Sequence, residues 1–140
     1  MDCLLCRIVA GAEEASVVYQ DDRVLALCDL YPVNPGHLLV IPKRHAVGLV
    51  DLDEEDGRQV WSLGQRLARA IRHTDLRCEG INLFLADGEV AGQEVFHAHL
   101  HVIPRYAGDR FRLSSGQASV PTARADLDAV ADTVRATLGS

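Results

Sequence analysis

Out of six histidines in the chain, three occupy alternate positions of one short segment: His97, His99 and His101 in VFHAHLHVIPRY, residues 95–106. Imidazole titrates near neutral pH, so such a row can attack an electrophile, carry protons or ligate a metal. On a strand, residues two apart share a face. The three imidazoles would line one side, with Ala98, Leu100 and Val102 on the other. A solvent-facing polar row is the plainest alternative, and the apolar opposite face and the third histidine count against it. A metal held by all three is the next. A rise of about 3.3 Å per residue sets the outer pair about 13 Å apart at Cα. Bonds of roughly 2 Å cannot easily gather three rings across that span, so the row divides its labour. Two further sets of residue types bear on chemistry. Cys3-X-X-Cys6 is half of a tetrahedral zinc site and needs two more ligands, with free thiols as the alternative. His37 and His45 both fall in NPGHLLVIPKRH, residues 34–45.

The elements that must position these groups follow from patterning. Val17–Tyr19 and Val24–Asp29 alternate as a hairpin around the polar turn QDD. YPVNPG is a Pro/Asn/Gly turn leading into HLLVIPK, a buried strand ended by Pro42. A helix follows DLDEEDG: Asp51, with Glu54 three residues on, fits a cap, and Val60, Leu63, Leu67 and Ile71 form the apolar stripe. GINLFLAD and FHAHLHVIP are two more strands. AGDRFRLSSGQASVP (107–121) is loop-like, and Leu127, Val130, Val134 and Leu138 mark a final helix. The expectation is one α+β domain over residues 1–140. Its core is a mostly antiparallel sheet of about five strands with helices on one side, over residues 2–106, followed by a C-terminal loop and helix over 107–140.

The net charge of −6 argues against bulk electrostatic binding of a nucleic-acid polymer or an anionic membrane, while a locally positive pocket for a small anion stays compatible. The acidic N-terminus is too poor in apolar residues for a signal peptide, and nothing approaches a membrane-spanning run. Cys3, Cys6, Cys28 and Cys78 are therefore expected in a reducing cytoplasm, as thiols or metal ligands rather than disulfides. Cys28 has the character of a small pocket residue and Cys78 of an incidental thiol.

HAHLHVI (97–103) fits the pattern His-φ-His-φ-His-φ-φ, where φ is apolar, and resembles the histidine triad (HIT) nucleotide hydrolases and transferases, in their bacterial form. NPGHLLVIPKRH is similar to the family's second signature, DGEVAGQEV (87–95) to its phosphate loop, and DCLLCRIVAGAE (2–13) to its N-terminus. The resemblance implies that His99 attacks the α-phosphorus of a nucleotide ester, anhydride or phosphoramidate, forming a nucleotidyl-histidine that water hydrolyses. For Nε2 to attack, Nδ1 must hold the proton and donate it, by resemblance to the carbonyl of His97. His101 would hydrogen-bond the phosphate, and His37 would come to it from the neighbouring strand. Zinc-bearing relatives, and the related hexose-phosphate uridylyltransferases, complete a cysteine pair with two histidines. That implies a structural zinc at Cys3, Cys6, His45 and His97, with no organic cofactor.

By the same resemblance Asp29 accepts hydrogen bonds from ribose hydroxyls (its other reading is a turn residue). The HIT-like fold also implies a short N-terminal helix, and where the first hairpin faces it Leu5, Ile8 and Leu27 form an apolar slot for a purine base of AMP or GMP type, although each would be core in any other fold. Gly92 and Gln93 face the phosphate. Ala86 stands where many relatives carry Asn or Gln, and Glu94 where several carry Ser or Thr, which bears on the leaving group. Family members pair through the long helix and the following strand. Trp61 beside the Val60, Leu63, Leu67, Ile71 stripe gives that helix apolar groups at more angles than one core-facing stripe requires, so a homodimer is expected. The enzyme reading stands beside two alternatives, a nucleotide-binding scaffold with vestigial hydrolysis and a zinc-dependent hydrolase that uses the triad as ligands.

Overall fold

The computed structural model describes residues 2–112 and 116–138, so part of the expected loop, residues 113–115, lies outside the described residues. The sheet has five strands: β1 (Val17–Gln20), β2 (Val24–Cys28), β3 (Leu38–Pro42), β4 (Gly80–Phe84) and β5 (Leu100–Arg105). They lie in the order β1-β2-β3-β5-β4, and every neighbouring pair is antiparallel. The helices are α1 (Leu4–Val9), α2 (Glu54–Ile71) and α3 (Arg124–Arg135).

Side-chain alternation explains the layering. Val24, Ala26, Leu38, Val40, Leu100 and Val102 face α2 and meet Val60, Leu63, Leu67 and Ile71. Leu25, Leu27 and Ile41 face the other way, against Cys3, Leu5 and Ile8. The helices therefore do not share one side as expected. The unbroken apolar run of β2, whose Val24 to Leu27 are all buried, requires cover on both faces, and α1 supplies the second.

Three boundaries differ from expectation for identifiable reasons. β5 begins at Leu100, so His97 and His99 lie on its approach. The β3–β5 ladder ends at Val40↔Leu100, and two residues on, Pro42 has no N–H to continue it. The Pro42 carbonyl instead meets Nε2 of the His97 side chain at 2.8 Å. The cap of α2 is Asp53, not Asp51. Asp53 Oδ1 accepts from the N–H groups of Glu55 and Asp56 at 3.0 and 3.1 Å, while Asp51 closes the preceding turn by accepting from Val47 and Gly48 at 2.8 and 2.9 Å. α3 forms where the Leu127, Val130, Val134 spacing predicts, but Leu138 lies beyond its end and none of its residues is buried.

Since Asp53 alone serves the first-turn N–H groups of α2 among these acids, Asp53→Ala should lower unfolding free energy by about 1 kcal/mol. The melting midpoint should fall by about 4 °C. Asp51→Ala should leave the far-ultraviolet helix signal of α2 intact. Urea titrations of both variants check this, and equal losses would overturn the capping assignment.

Candidate active site and metal centre

His97, His99 and His101 go to two different places. The His97 ring is fully buried. Because a carbonyl only accepts, its Nε2 donates to Pro42 O at 2.8 Å, which leaves Nδ1 with a lone pair. That lone pair faces Cys3 Sγ at 3.5 Å, Cys6 Sγ at 3.6 Å and His45 Nδ1 at 3.2 Å. His45 Nδ1 lies 3.2 Å from Cys6 Sγ, and the four donor atoms are within 4.8 Å of one another. Tetrahedral bonds of about 2.3 Å to sulfur and about 2.05 Å to nitrogen set N···N near 3.3 Å and S···N near 3.5 Å. The observed spacings fit that geometry. α1 delivers both thiols: Cys3 is its N-cap, with Sγ accepting from the Cys6 N–H. Burial, and then neighbouring Cys3, push the Cys6 thiol above its ordinary pKa, a penalty that a bound dication would reverse. Burial likewise holds the His97 imidazole neutral, the form that ligates.

His99 is turned the other way. Its Nδ1 donates to the carbonyl of His97 at 2.7 Å, so Nε2 carries the lone pair. His101 follows on β5, with its ring 4.9 Å from that of His99. Here the tautomers are set in series. The Val33 N–H donates to His37 Nδ1 at 3.0 Å. His37 therefore holds its proton on Nε2, which sits 2.9 Å from His101 Nδ1. His101 Nδ1 accepts, and its own proton falls on Nε2. Burial, reinforced by His99 and His37, pushes the His101 pKa down to about 4. Burial also lowers that of His37 against the opposing pull of Asp29. At neutral pH the two are neutral imidazoles, one donor and one acceptor each.

Asp29, Gly92, Gln93, Glu94, Leu5, Ile8 and Leu27 are placed as follows. Asp29 Oδ1 accepts from the Tyr31 N–H at 2.8 Å, and Oδ2 lies 3.4 Å from His37 Nε2. It thus combines the turn role with a place beside the histidines. Gly92 is exposed at φ +98°, a conformation that favours glycine, and ends the short turn Glu89–Ala91. Gln93, expected to face phosphate, is instead a strut. Its amide accepts from the Gly88 N–H and donates to the carbonyls of Val47 and Val95, and the side chain is buried. Glu94 is exposed. Leu5, Ile8 and Leu27 do come together, but as one buried cluster beneath α1.

Sequence patterning missed a buried network behind His37. Asn34 donates to Pro104 O at 2.8 Å and to Asp109 Oδ2 at 2.9 Å. Arg105 grips both oxygens of Asp109, at 2.6 and 2.7 Å. The guanidinium, and then Asn34, hold that carboxylate well below the usual range. The signal available was the pair of Arg105, at the end of the triad strand, and Asp109 four residues on, which has the appearance of ordinary surface charge.

A HIT domain model matches residues 10–108. A crystal structure of a HIT family member from Bacillus subtilis superposes with a TM-score of 0.92 at 35% identity, covering 100% of this chain and 99% of that one. A zinc-bound histidine triad family protein from Mycobacterium smegmatis gives 0.76 at 43% identity over 81% of each chain. A HIT family hydrolase from Legionella pneumophila gives 0.65 at 32% identity, covering 82% of this chain and 100% of that one. With its triad, its five-stranded antiparallel sheet and these matches, the chain belongs to the histidine triad (HIT) family.

Proposed function

We propose that the protein is a nucleotidyl hydrolase acting on nucleoside phosphoramidates, adenylates or dinucleoside polyphosphates through a covalent intermediate on His99. The observation that carries this reading is the opposite tautomers of adjacent imidazoles, a lone pair on His99 Nε2 beside a proton on His101 Nε2. The lone pair of His99 attacks the α-phosphorus, forming a P–N bond as the bond to the leaving group breaks. The leaving group departs with the bonding pair and takes up a proton. His101 Nε2–H hydrogen-bonds the phosphate oxygen on which charge accumulates. Water then attacks the same phosphorus as the P–N bond breaks, its electron pair returning to His99 Nε2, and the water gives up a proton to solvent that balances the one taken by the leaving group, releasing a nucleoside monophosphate. Asp29 beside His37 holds the ribose, Gly92 lets the loop approach the phosphate, and exposed Glu94 serves the leaving group as a proton carrier. A purine nucleotide of AMP or GMP type is the proposed ligand.

Asp29, His37 and His101 also bring potential metal-ligand atoms within 4.8 Å of one another. The Val33 N–H on His37 Nδ1 counts against a metallohydrolase there, because it leaves Nε2 protonated and unable to ligate.

His99→Asn should reduce turnover by at least about 10³-fold while leaving nucleotide affinity within a small factor. Quenching in base during turnover of an α-labelled substrate should trap label on wild type and none on the variant. Label persisting on His99→Asn would sink the assignment. Nucleotide affinity without turnover in wild type would favour the scaffold, and loss of turnover on chelation the metallohydrolase.

Cys3, Cys6, His45 and His97 are proposed to hold a structural zinc, which when bound fixes the segment that presents the His99 nucleophile. Protein purified without chelator should contain about one zinc per chain, and Cys6→Ala should lower the melting midpoint by on the order of 10 °C. Elemental analysis that finds no metal would remove this proposal.

A two-fold dimer through α2 and β4 completes the reading. Leu49 and Trp61 are each 56% exposed along α2 and the loop before it, and β4 is an edge strand. Light scattering at micromolar concentration should give twice the chain mass, and Trp61→Arg should shift the population to monomer. No helix among the described residues is long and apolar enough to cross a membrane, and a cytoplasmic location is proposed.

A further inference from the structure

β4 and β5 pair with Phe84 directly opposite His101. Cross-strand partners on one face stand close enough for their rings to meet. Here the rings are 4.4 Å apart between centroids and within 14° of parallel. Phe111 lies nearly parallel to Phe84, at 6.4 Å and 13°. Arg105 buttresses it, with the guanidinium 5.0 Å over the Phe111 ring and Nη2 donating to the Phe111 carbonyl at 2.7 Å. Arg105 is itself fixed by Asp109 and by Asn82 Oδ1 at 2.6 Å. An aromatic column thus runs from a partly buried ion pair to one triad histidine, and nothing in the reaction derived above uses it.

We propose that Phe84 is a positioning residue that sets the ring plane of His101, so that Nδ1 meets His37 while Nε2–H points to the substrate phosphate. The proposal rests on the catalytic reading for its effect on rate, but its structural half stands alone. Rotation about the terminal side-chain bond of histidine is soft and roughly two-fold. Tilting of the His101 ring out of this plane would withdraw Nδ1 from His37 Nε2 and turn Nε2 away from the phosphate. A single hydrogen bond holds one edge of the ring. A parallel ring at 4.4 Å restricts rotation of the whole plane, and Phe111 and Arg105 keep Phe84 from moving with it.

The test compares wild type with Phe84→Tyr, which keeps the stacked plane, and with Phe84→Leu and Phe84→Met, which keep apolar volume without it. With ¹⁵N-histidine labelling at pH 7, wild type and Phe84→Tyr should show His101 as one neutral tautomer protonated at Nε2. The two aliphatic variants should show averaged ring-nitrogen shifts. In turnover of an adenosine phosphoramidate, the aliphatic variants should lose about tenfold in kcat at nearly constant KM, and Phe84→Tyr should recover the wild-type rate within about twofold. A single Nε2-protonated His101 in folded Phe84→Leu or Phe84→Met overturns the proposal, as does a wild-type kcat in either. If wild type itself turns over no nucleotide, the catalytic reading fails, and the nitrogen shifts still decide what Phe84 does.

Discussion

The His97 ring has no surface exposed, and a buried polar ring destabilises the fold unless both nitrogens find partners. Nε2 finds the Pro42 carbonyl and Nδ1 finds the Cys3, Cys6 and His45 cluster. Both contacts depend on the same interruption of the sheet. Pro42 brings no N–H to the ladder, β3 and β5 part after Val40 and Leu100, and the side chain of His97 takes the carbonyl that a backbone donor would otherwise occupy. The separated segment exposes its own carbonyl, that of His97, to His99 Nδ1. One ring therefore joins the thiol-bearing helix α1, the end of β3 and the orientation of the next histidine.

The charge state of the site follows from which effect is larger at each ring. At His37, burial favours the neutral form and the carboxylate of Asp29, 3.4 Å away, favours the cation; burial prevails because Asp29 is partly exposed and its other oxygen is engaged by the Tyr31 N–H. At His101 burial and the neighbouring histidines act together. For a chain of net charge −6, the proposed anionic substrate would be held at short range by N–H donors such as that of His101, not by the overall field. Asn34, Arg105 and Asp109 keep those donors aimed by tying the NPG turn to the far end of β5. The Asp109 side chain is buried while that of Arg105 is partly exposed.

Much of this was legible in the sequence because it rests on local periodicity. Alternation placed Leu100 and Val102 on the core face and His99 beside His101, but it also put His97 on their face, from which the structure turns it toward Cys3, Cys6 and His45; the short spacing of Cys3 and Cys6 already suggested a shared ligand. The parts that were not legible depend on partners far away in the chain or on competition between similar residues. Asn34 and Asp109 meet across 75 positions. Asp51 and Asp53 each have an acid three residues on, and the choice between them is made by the N–H groups of Val47 and Gly48, which claim Asp51. Gln93 is polar in a loop and suggests an outward role, but the carbonyls of Val47 and Val95 draw it inward. The short N-terminal helix was expected from the resemblance, but the side it covers was not, because the six-residue α1 is too short to show an apolar period.

The two imidazoles that matter most in the proposed reaction are controlled by independent means. His99 takes its tautomer from a carbonyl two residues away in its own segment, and that segment is held in place by His97 and its four-donor cluster. His101 takes its tautomer from the Val33 N–H, relayed through His37 across the β3–β5 boundary. Disturbing the donor cluster would loosen the nucleophile while leaving the relay to His101 intact, and disturbing the NPG turn would do the reverse. Adjacent histidines need opposite proton placements, which a common hydrogen-bond partner could not impose on both. Two separate anchors, the His97 carbonyl for His99 and the Val33–His37 relay for His101, resolve that conflict, and the first histidine of the row leaves the face that the other two share to secure the first of them.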